Sequence, residues 1–414
     1  MGKKLQTLKG FRDFLPPEKK ARDFVLERIL EAFRQSGFEP LETPTLDYKE
    51  NIMGKYGDEA DKLVYEFVDR GGREVAMRYD QTVPTARVIA QYQNELTFPF
   101  KRYQVQNVFR ADKPQKGRYR EFTQCDIDIF GSSSPLADAE ILATTYQAYQ
   151  SVGFEMIELR LNDRQILFDL LAPFSNELLT TANIVQSIDK LDKLVPDQVI
   201  EELVGKGLTQ DQASKVIDII NQAEPSKNLK EIISLAAQLG VPENVLKFSP
   251  SIARGLDYYT GMIFEIVAPG FDGGSLGGGG RYDKLIYDLA GIDIPAVGVG
   301  IGFDRTVEAA AALNLIPQST NSAEVLVTIF DDKFLPNSLE AVKKLRQAGI
   351  CAELYVDDAK IGKQLKYASR KEIPFVIVIG DEEVSKEQVA LKDLVSGEQT
   401  SQSLEETVAI IKRA

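Results

Sequence analysis

Between Glu18 and Ser36 apolar residues recur near helical spacing, with Phe24, Ile29 and Phe33 along one stripe and Gly37 standing where a helix stops. The pattern predicts an amphipathic helix that follows the turn-like Pro16-Pro17 and leads into an extended segment through Pro40 and Pro44. Farther along, FKRYQVQNVF (100–109) is strand-like and EFTQCDIDIF (121–130) alternates polar and apolar residues. With the basic loop Lys113 to Arg120 between them, these two runs predict a long antiparallel hairpin. From about Asp163 to Pro242 the rhythm becomes helical, in segments rich in Leu, Ile, Lys and Glu, and Thr209 precedes Gln212 at capping-box spacing. This is the pattern of a helical insertion. Strand-like, glycine-rich sequence resumes at Ser251 and runs to Asp304, followed by an Ala-rich helix from Arg305 to Asn314. Beyond the polar stretch Pro317 to Ala323 come VLVTIF, a helix ending at Gly349, ICAELYV, a helix near Lys363 to Lys371, and PFVIVIG. That alternation predicts a separate α/β unit with a largely parallel sheet.

Composition narrows what such a chain can do. With 414 residues, two or three domains are expected, and 43% apolar with 27% charged residues is ordinary globular usage. No apolar run reaches the length of a membrane span, and Met1 to Gly10 lacks a secretory signal, so a soluble cytoplasmic protein without membrane contact is the expectation. Cys125 and Cys351 form no CxxC unit, which suggests two buried thiols rather than a disulfide framework or a zinc site. The net charge of −13 is the wrong sign for a protein lying along nucleic acid with its whole surface, so any such contact must use local basic patches. There is no histidine, which excludes imidazole catalysis and His-ligated metal. Chemistry is left to Arg, Lys, carboxylates, amides, Tyr or a bound ion.

Four stretches could carry it. In VFRADKPQKGRYREFTQCDIDIF, Arg110 and Asp112 share one strand face by period-two spacing, as do Phe122, Gln124, Asp126 and Asp128 on the return strand. A solvated sheet with its polar side outward accounts for such a hairpin equally well and is the better expectation for the hairpin alone. The second stretch is ARGLDYYTGMIFEI (253–266) with GGSLGGGGRYD (273–283), where glycines permit close backbone approach to a ligand and Arg254, Arg281 and two tyrosines supply donors. Its glycine run lacks the Gly-Lys-Ser/Thr of a P-loop. In AVGVGIGFDR (296–305) the alternating glycines suggest tight packing under a sheet, whereas Arg305 at the strand end is a natural phosphate ligand. MRYDQTVPTARV (77–88) places Asp80 beside Thr82 and says little alone.

Together these segments resemble class II aminoacyl-tRNA synthetases and, within them, the histidyl-tRNA synthetases. The first helix and the strand through Pro44 resemble motif 1, Phe109-Arg110 with Asp112, the basic loop and Phe122 resemble motif 2, and GIGFDR resembles motif 3. RGLDYYTG and GGGGRYD resemble the family's histidine-specific segments, and KGFRDFLPPE and IGKQLKYASRKEIPFVIVIG extend the likeness over nearly the whole chain. The resemblance implies an α+β catalytic domain on a mainly antiparallel sheet (1–162 and 247–318), a helical insertion (163–246) and a C-terminal α/β anticodon-binding domain (323–414). It also implies a histidine–tRNA ligase that forms histidyl-adenylate and passes the histidine to the 3′ end of tRNA(His). ATP with Mg²⁺, L-histidine and tRNA(His) are the implied cofactors and partners, and the implied assembly is a homodimer.

Residue by residue, the resemblance gives Arg110 the α-phosphate, Arg305 the γ-phosphate, and Phe122 with Arg305 the adenine, with Asp112 nearby. Arg254 approaches the α-phosphate and the histidine carboxylate; Asp80, Thr82 and Gln124 take the amino group; Asp128 and Tyr259, with Tyr258 beside them, meet the imidazole. A carboxylate facing a ring N–H separates imidazole from thiazole or phenyl rings. Asp112 and Asp304 stand where the class often carries Glu. For tRNA, Lys113, Gln115 and Lys116 are placed to meet the acceptor end, and Lys360, Lys363, Lys366 and Arg370 form a basic helix, although charged helices are more often only solvated. The rival expectation is a non-catalytic relative that serves as regulatory subunit of ATP phosphoribosyltransferase. The Arg110, Arg254 and Arg305 set and the C-terminal α/β domain stand against it.

Overall fold

The computed structural model describes residues 5–54, 61–115, 117–177, 179–192, 194–253, 259–317 and 323–413. The chain divides into two compact units, Met1–Pro317 and Gln318–Ala414. In the first, a sheet is formed by β1 (Glu39–Pro40), β5 (Phe100–Phe109), β6 (Glu121–Phe130), β7 (Glu158–Asp163), β8 (Leu246–Phe248), β9 (Met262–Val267), β10 (Gly277–Arg281) and β11 (Ala296–Gly302). Their order is β1-β5-β6-β11-β10-β9-β7-β8. The β1/β5 and β7/β8 edges are parallel and every pair between them is antiparallel.

Alternation decides what each face of this sheet does. Cys125, Ile127 and Ile129 of β6, Val297, Val299 and Ile301 of β11, and Met262, Phe264 and Ile266 of β9 point to one side, into the largest apolar cluster. The helix Pro16–Gln35 covers that side: a proline starts it, and its Val25, Ile29, Ala32 and Phe33 recur on one stripe and are buried. The helix Pro135–Val152 lies beside it, capped by the Ser134 side chain and ended by Gly153 at φ +108°. On the opposite side the helices Thr82–Tyr92 and Leu285–Ala290 share a smaller cluster around Phe130, Tyr259, Ile263 and Tyr282. A three-stranded sheet of β2 (Leu46–Tyr48), β3 (Glu66–Val68) and β4 (Glu74–Met77), in order β2-β4-β3, stands apart from the main one.

The helical stretch after β7 has its own apolar cluster, built by Leu167, Leu171, Ile184, Ile188, Val199, Leu203, Val216 and Ile220. Its two ends meet at one carboxylate: Asp163 caps the helix Arg164–Leu171, and Ser226, which caps the helix Lys227–Gln238, donates to Asp163 Oδ2 at 3.0 Å. The Thr209/Gln212 capping box forms as the spacing predicts, with Gln212 N donating to Thr209 Oγ1 at 3.2 Å. The helix Lys227–Gln238 lies within the stretch predicted as insertion, yet its Leu229, Ile232 and Ala236 enter the main core.

The second unit holds a five-stranded sheet of β12 (Val325–Val327), β13 (Ala352–Leu354), β14 (Phe375–Val378), β15 (Val389–Asp393) and β16 (Gln399–Gln402), in order β13-β12-β14-β15-β16. The first three strands are parallel, but β15 and β16 add antiparallel partners, so the sheet is mixed rather than largely parallel. Separate clusters, one around Val325, Leu345 and Ile377 and one around Leu326, Tyr355 and Ala368, fill its two faces. Of the two cysteines expected to be buried, Cys125 is, whereas Cys351 is exposed at the entry to β13. Among the described residues no helix is long and apolar enough to cross a membrane.

Candidate active site

The face of the main sheet opposite the large core is polar by register. Arg102, Gln104 and Gln106 of β5 stand opposite Asp128, Asp126 and Gln124 of β6. On its other side, β6 pairs those three residues with Gly298, Gly300 and Gly302 of β11. A solvated polar face is therefore the wrong reading of the hairpin: Asp126 and Asp128 are only 2% and 3% exposed. The glycines make room for this layer. A Cβ on Gly298 would come within 1.8 Å of Asp128 Oδ1, and one on Gly300 within 3.0 Å of Gln124 Nε2 and 3.3 Å of Asp126 Oδ1. Packing beneath the sheet, which the sequence suggested for these glycines, is left to Val297, Val299 and Ile301.

Two carboxylates so deeply buried require partners. Asp128 Oδ2 lies 2.6 Å from Arg102 Nη2, whose side chain is fully buried, and Asp128 Oδ1 accepts the Tyr282 hydroxyl. Arg102 and Asp128 lack hydrogen-bond alignment at that contact, so charge rather than direction joins them. Burial pushes the Asp128 carboxyl up, against the pull of Arg102 and Tyr282. Asp126 is pushed well above the ordinary range, by burial first and then by the neighbouring Asp128 and Asp80, with Arg102 opposing. Arg102 Nη1 donates to Gln104 Oε1 at 3.2 Å and Gln104 Nε2 to Thr43 Oγ1 at 2.8 Å, so the polar layer continues across β5. Gln124 Oε1 is buried without a hydrogen-bond partner among the described residues. Such an acceptor at the edge of a polar layer suits a ligand donor.

Around this layer the other expected residues gather. Asp80 and Thr82 sit at the start of the helix Thr82–Tyr92, where Asp80 is 5% exposed and its Oδ1 accepts Val83 N at 3.2 Å. Arg110 leaves the end of β5 with its Nε donating to Tyr79 O at 3.0 Å, and its guanidinium lies 4.3 Å from the Tyr79 ring and 5.2 Å from the Phe122 ring. Arg305, in the first turn of the helix Phe303–Ala312, donates from Nε to Gly117 O at 3.3 Å and from Nη1 to Ser275 O at 2.9 Å. The Asp112 carboxylate lies 3.9 Å from Arg118 Nη1. Tyr259 is buried, and a Cβ on Gly280 would come within 3.0 Å of its ring.

Not every expected donor is available. Arg281 is tied to Asp138, to Asp283 Oδ1 at 3.0 Å and to Ser132 O at 2.9 Å, so it braces the sheet against the helix Pro135–Val152. Arg254, Tyr258 and Lys116 lie outside the described residues. Lys113 and Gln115 are exposed in the hairpin loop, where Gln115 pairs through its backbone with Arg118. Lys363, Lys366 and Arg370 are exposed on the helix Ile361–Arg370, whose Gln364 and Ala368 are buried. Sequence reasoning missed Arg102, Tyr79 and Tyr282. The period-two run Arg102, Gln104, Gln106 was the available signal for the first, and Tyr282 stands inside GGGGRYD.

Comparison with known proteins bears on this geometry. Residues 10–305 match a family model described as histidyl-tRNA synthetase, and residues 315–414 match one described as an anticodon binding domain. The histidine–tRNA ligase of Christiangramia forsetii is 38% identical, with 97% of this chain and 98% of the relative covered. That of Gloeobacter violaceus is also 38% identical, covering 95% of this chain and 96% of the relative. The crystal structure of histidyl-tRNA synthetase from Nostoc sp. PCC 7120 superposes with a TM-score of 0.87 at 30% identity over 100% of both chains. A Bacillus halodurans protein described as an ATP phosphoribosyltransferase regulatory subunit/histidyl-tRNA synthetase shares the fold, with a TM-score of 0.74 at 21% identity over 89% of this chain and 97% of that one.

Proposed function

The chain belongs to the histidyl-tRNA synthetase family, and from that premise we propose how its residues divide the work of a class II histidine–tRNA ligase. The reaction has two steps. A carboxylate oxygen of histidine attacks the α-phosphorus of ATP, forming the bond of histidyl-adenylate while the bond to pyrophosphate breaks. A ribose hydroxyl at the 3′ end of tRNA then attacks the activated carbonyl carbon and AMP departs. Relatives called histidine–tRNA ligases that span nearly the whole chain favour this activity over a regulatory subunit.

In this reading Asp128 accepts an N–H of the substrate imidazole, assisted by Tyr259 and by Tyr258, while Arg102 and Tyr282 fix its rotamer and charge. The observation that carries the reading is the buried Asp128 between those two partners over the Cβ-free Gly298. A preorganised acceptor loses little on binding an N–H and leaves an unmatched buried charge for a ring without one. Asp80, Thr82 and Gln124 receive the amino group, for which the unpartnered Gln124 Oε1 is a ready acceptor. Arg110 binds the α-phosphate, Arg305 the γ-phosphate, and Phe122 and Arg305 hold the adenine between them. Arg254, assigned by resemblance alone, meets the α-phosphate and the histidine carboxylate. Fixed positive charge of this kind stabilises the phosphoryl transition state without a protein nucleophile.

Mg²⁺ accompanies ATP in this reading, bound mainly through the nucleotide's phosphates. Asp112, partnered by Arg118 at 3.9 Å, is the carboxylate that would hold it, and the ion would neutralise phosphate charge there. Lys113, Gln115 and Lys116 meet the acceptor end of tRNA(His), and Lys363, Lys366 and Arg370 meet the anticodon arm. The domains divide as 1–162 with 247–318 for catalysis, 163–246 as insertion, its helix Lys227–Gln238 packed into the catalytic core, and 323–414 for the anticodon. Homodimerisation is supported by the exposed apolar face of the small sheet, where Leu46, Tyr48 and Phe67 are 43%, 50% and 46% exposed and share a side with Val75 and Met77. The cytoplasm, where ATP and uncharged tRNA meet, is the compartment this reading takes.

The test is ATP–pyrophosphate exchange with each of the twenty amino acids, on the wild type and on Asp128→Asn. Exchange driven by histidine alone, with KM for histidine raised at least tenfold and KM for ATP unchanged in the variant, is the expected result. An unchanged histidine KM in Asp128→Asn sinks the imidazole assignment.

A further inference from the structure

Asp304 immediately precedes Arg305, and the structure gives it work unrelated to a metal. Its Oδ1 accepts Arg22 Nη1 at 2.8 Å and the Arg12 guanidinium, and its Oδ2 accepts the backbone N–H of Thr123 at 2.8 Å. Arg22 closes the figure by donating from Nη2 to Thr123 Oγ1 at 3.1 Å. The cluster is largely buried: Asp304 is 5% and Arg22 9% exposed. Phe14 lies against both guanidiniums, with the Arg22 carbon 4.0 Å and the Arg12 carbon 4.9 Å from its ring centre.

The chain positions of those partners matter. Thr123 follows Phe122 on β6 and Arg305 follows Asp304 on the helix Phe303–Ala312. Phe122 and Arg305 are the two walls assigned to the adenine above, so one carboxylate joins the backbones on which both walls stand. A stacking slot admits a ring only within a narrow range of widths. We propose that Asp304, clamped by Arg22 and Arg12, is a positioning residue for ATP: it sets the spacing between Phe122 and Arg305 and so the width of the adenine slot. The N-terminal segment thereby becomes part of the nucleotide site without touching nucleotide. A shortened acid suits this task, because the distance from helix to β6 is fixed by a direct carboxylate-to-amide contact.

The inference rests on the assignment of Phe122 and Arg305 to ATP, and the experiment separates the two. KM for ATP and for histidine are measured by pyrophosphate exchange in Asp304→Glu, which keeps the charge and lengthens the tie by one methylene, and in Arg22→Lys, which keeps the charge but loses the two-nitrogen fork that spans Asp304 and Thr123. Phe122→Ala and Arg305→Ala are measured alongside. In the expected result both positioning variants raise KM for ATP about tenfold, short of the roughly hundredfold effect that a full 1 Å misplacement can have, while KM for histidine stays within about twofold. If Asp304→Glu fails to fold, Arg22→Lys carries the measurement. Should Phe122→Ala and Arg305→Ala raise KM for ATP while the positioning variants do not, the spacing role is overturned and the ATP site stands. If neither wall variant changes KM for ATP, the ATP site itself is misassigned and the inference falls with it. Equal rises in both KM values also overturn it, because they mark general loss of structure.

Discussion

At the scale of single residues the polar layer is held by exclusions as much as by contacts. Gly298 is required because nothing larger than hydrogen fits beside Asp128 Oδ1, 1.8 Å from a built Cβ. Gly298→Ala is expected to cost about 1–3 kcal/mol by overpacking, read as a lowered urea midpoint, and to weaken histidine binding in titration calorimetry. Wild-type stability and affinity in that variant would show that Asp128 has room to move. Arg102 makes the complementary case. Arg102→Met leaves Asp128 buried with only the Tyr282 hydroxyl described beside it, and breaking such a pair costs about 3–5 kcal/mol at neutral pH. Burial already raises the Asp128 carboxyl and Arg102 opposes that rise, so the variant raises it further. The penalty is therefore absent while Asp128 is protonated in both the wild-type and the variant fold, and grows as pH climbs past the already raised value that Asp128 has in the wild-type fold. Denaturation at pH 5 and pH 8 checks it: the variant must lose more at pH 8, and adding Asp128→Asn must restore part of the loss. These requirements are partly legible in the sequence. The period-two run through Gln124, Asp126 and Asp128 shows one polar face, but which faces are buried depends on β11 pairing with β6 from far along the chain.

At the scale of elements, local signals predicted the structure where the chain's own period carries the information. The hairpin β5/β6, the first helix and the Thr209 capping box form where spacing places them, because strand alternation and helix caps are short-range chemistry. The signal fails at β16, Gln399–Gln402, whose wholly polar residues pair antiparallel with β15 at the sheet's edge and show no apolar alternation. It fails likewise for β2, β3 and β4, each of four residues or fewer. The helical insertion offers a test of how its elements are joined. Glu202 of the helix Pro196–Gly205 accepts Lys190 Nζ and Lys206 Nζ at 2.7 and 2.8 Å and Ser187 Oγ at 3.0 Å, linking it to the helix Thr181–Ile188. Those partners, Lys190 first, lower its carboxyl from 4.5 to about 2. A lowered carboxylate stabilises the fold above its unfolded value and loses that contribution as pH falls from 4.5 towards about 2. Glu202→Gln should therefore lower stability at pH 7 by about 1 kcal/mol, modest because the charges reach solvent, and flatten the acid limb of the melting curve. Hydrogen exchange at pH 7 should rise in both helices, and an unchanged exchange pattern would mean that apolar packing alone joins them.

For the whole molecule, the chain divides at Pro317 into two compact units, and the proposed assignments ask a different kind of recognition of each. The first unit carries a buried polar layer in which Asp128 is held by the Arg102 charge and the Tyr282 hydroxyl while Gln124 Oε1 is left open, an arrangement suited to small substrates told apart by hydrogen bonds. The second carries exposed cations on the helix Ile361–Arg370, anchored from beneath by the buried Gln364, whose Nε2 donates to Ile329 O at 2.6 Å and to Ala359 O at 2.7 Å. Exposed cations on an acidic chain of net charge −13 act locally and through phosphate, so the RNA binding proposed for them should depend on salt rather than on base identity. Replacing Lys363, Lys366 and Arg370 together with alanine is then expected to raise KM for tRNA in aminoacylation while leaving histidine-dependent pyrophosphate exchange at its wild-type rate. The three cations give the prediction a second reading. If each contacts a phosphate of the single-stranded anticodon loop, the slope of log K against log salt becomes shallower by about 2, from roughly 0.7 for each contact. A filter-binding series between about 50 and 200 mM salt measures that slope. A variant that weakens binding equally at every salt concentration would show that these side chains hold the domain in shape rather than the RNA. A variant with unchanged affinity would make the helix a solvated face and move the tRNA contact elsewhere on this unit.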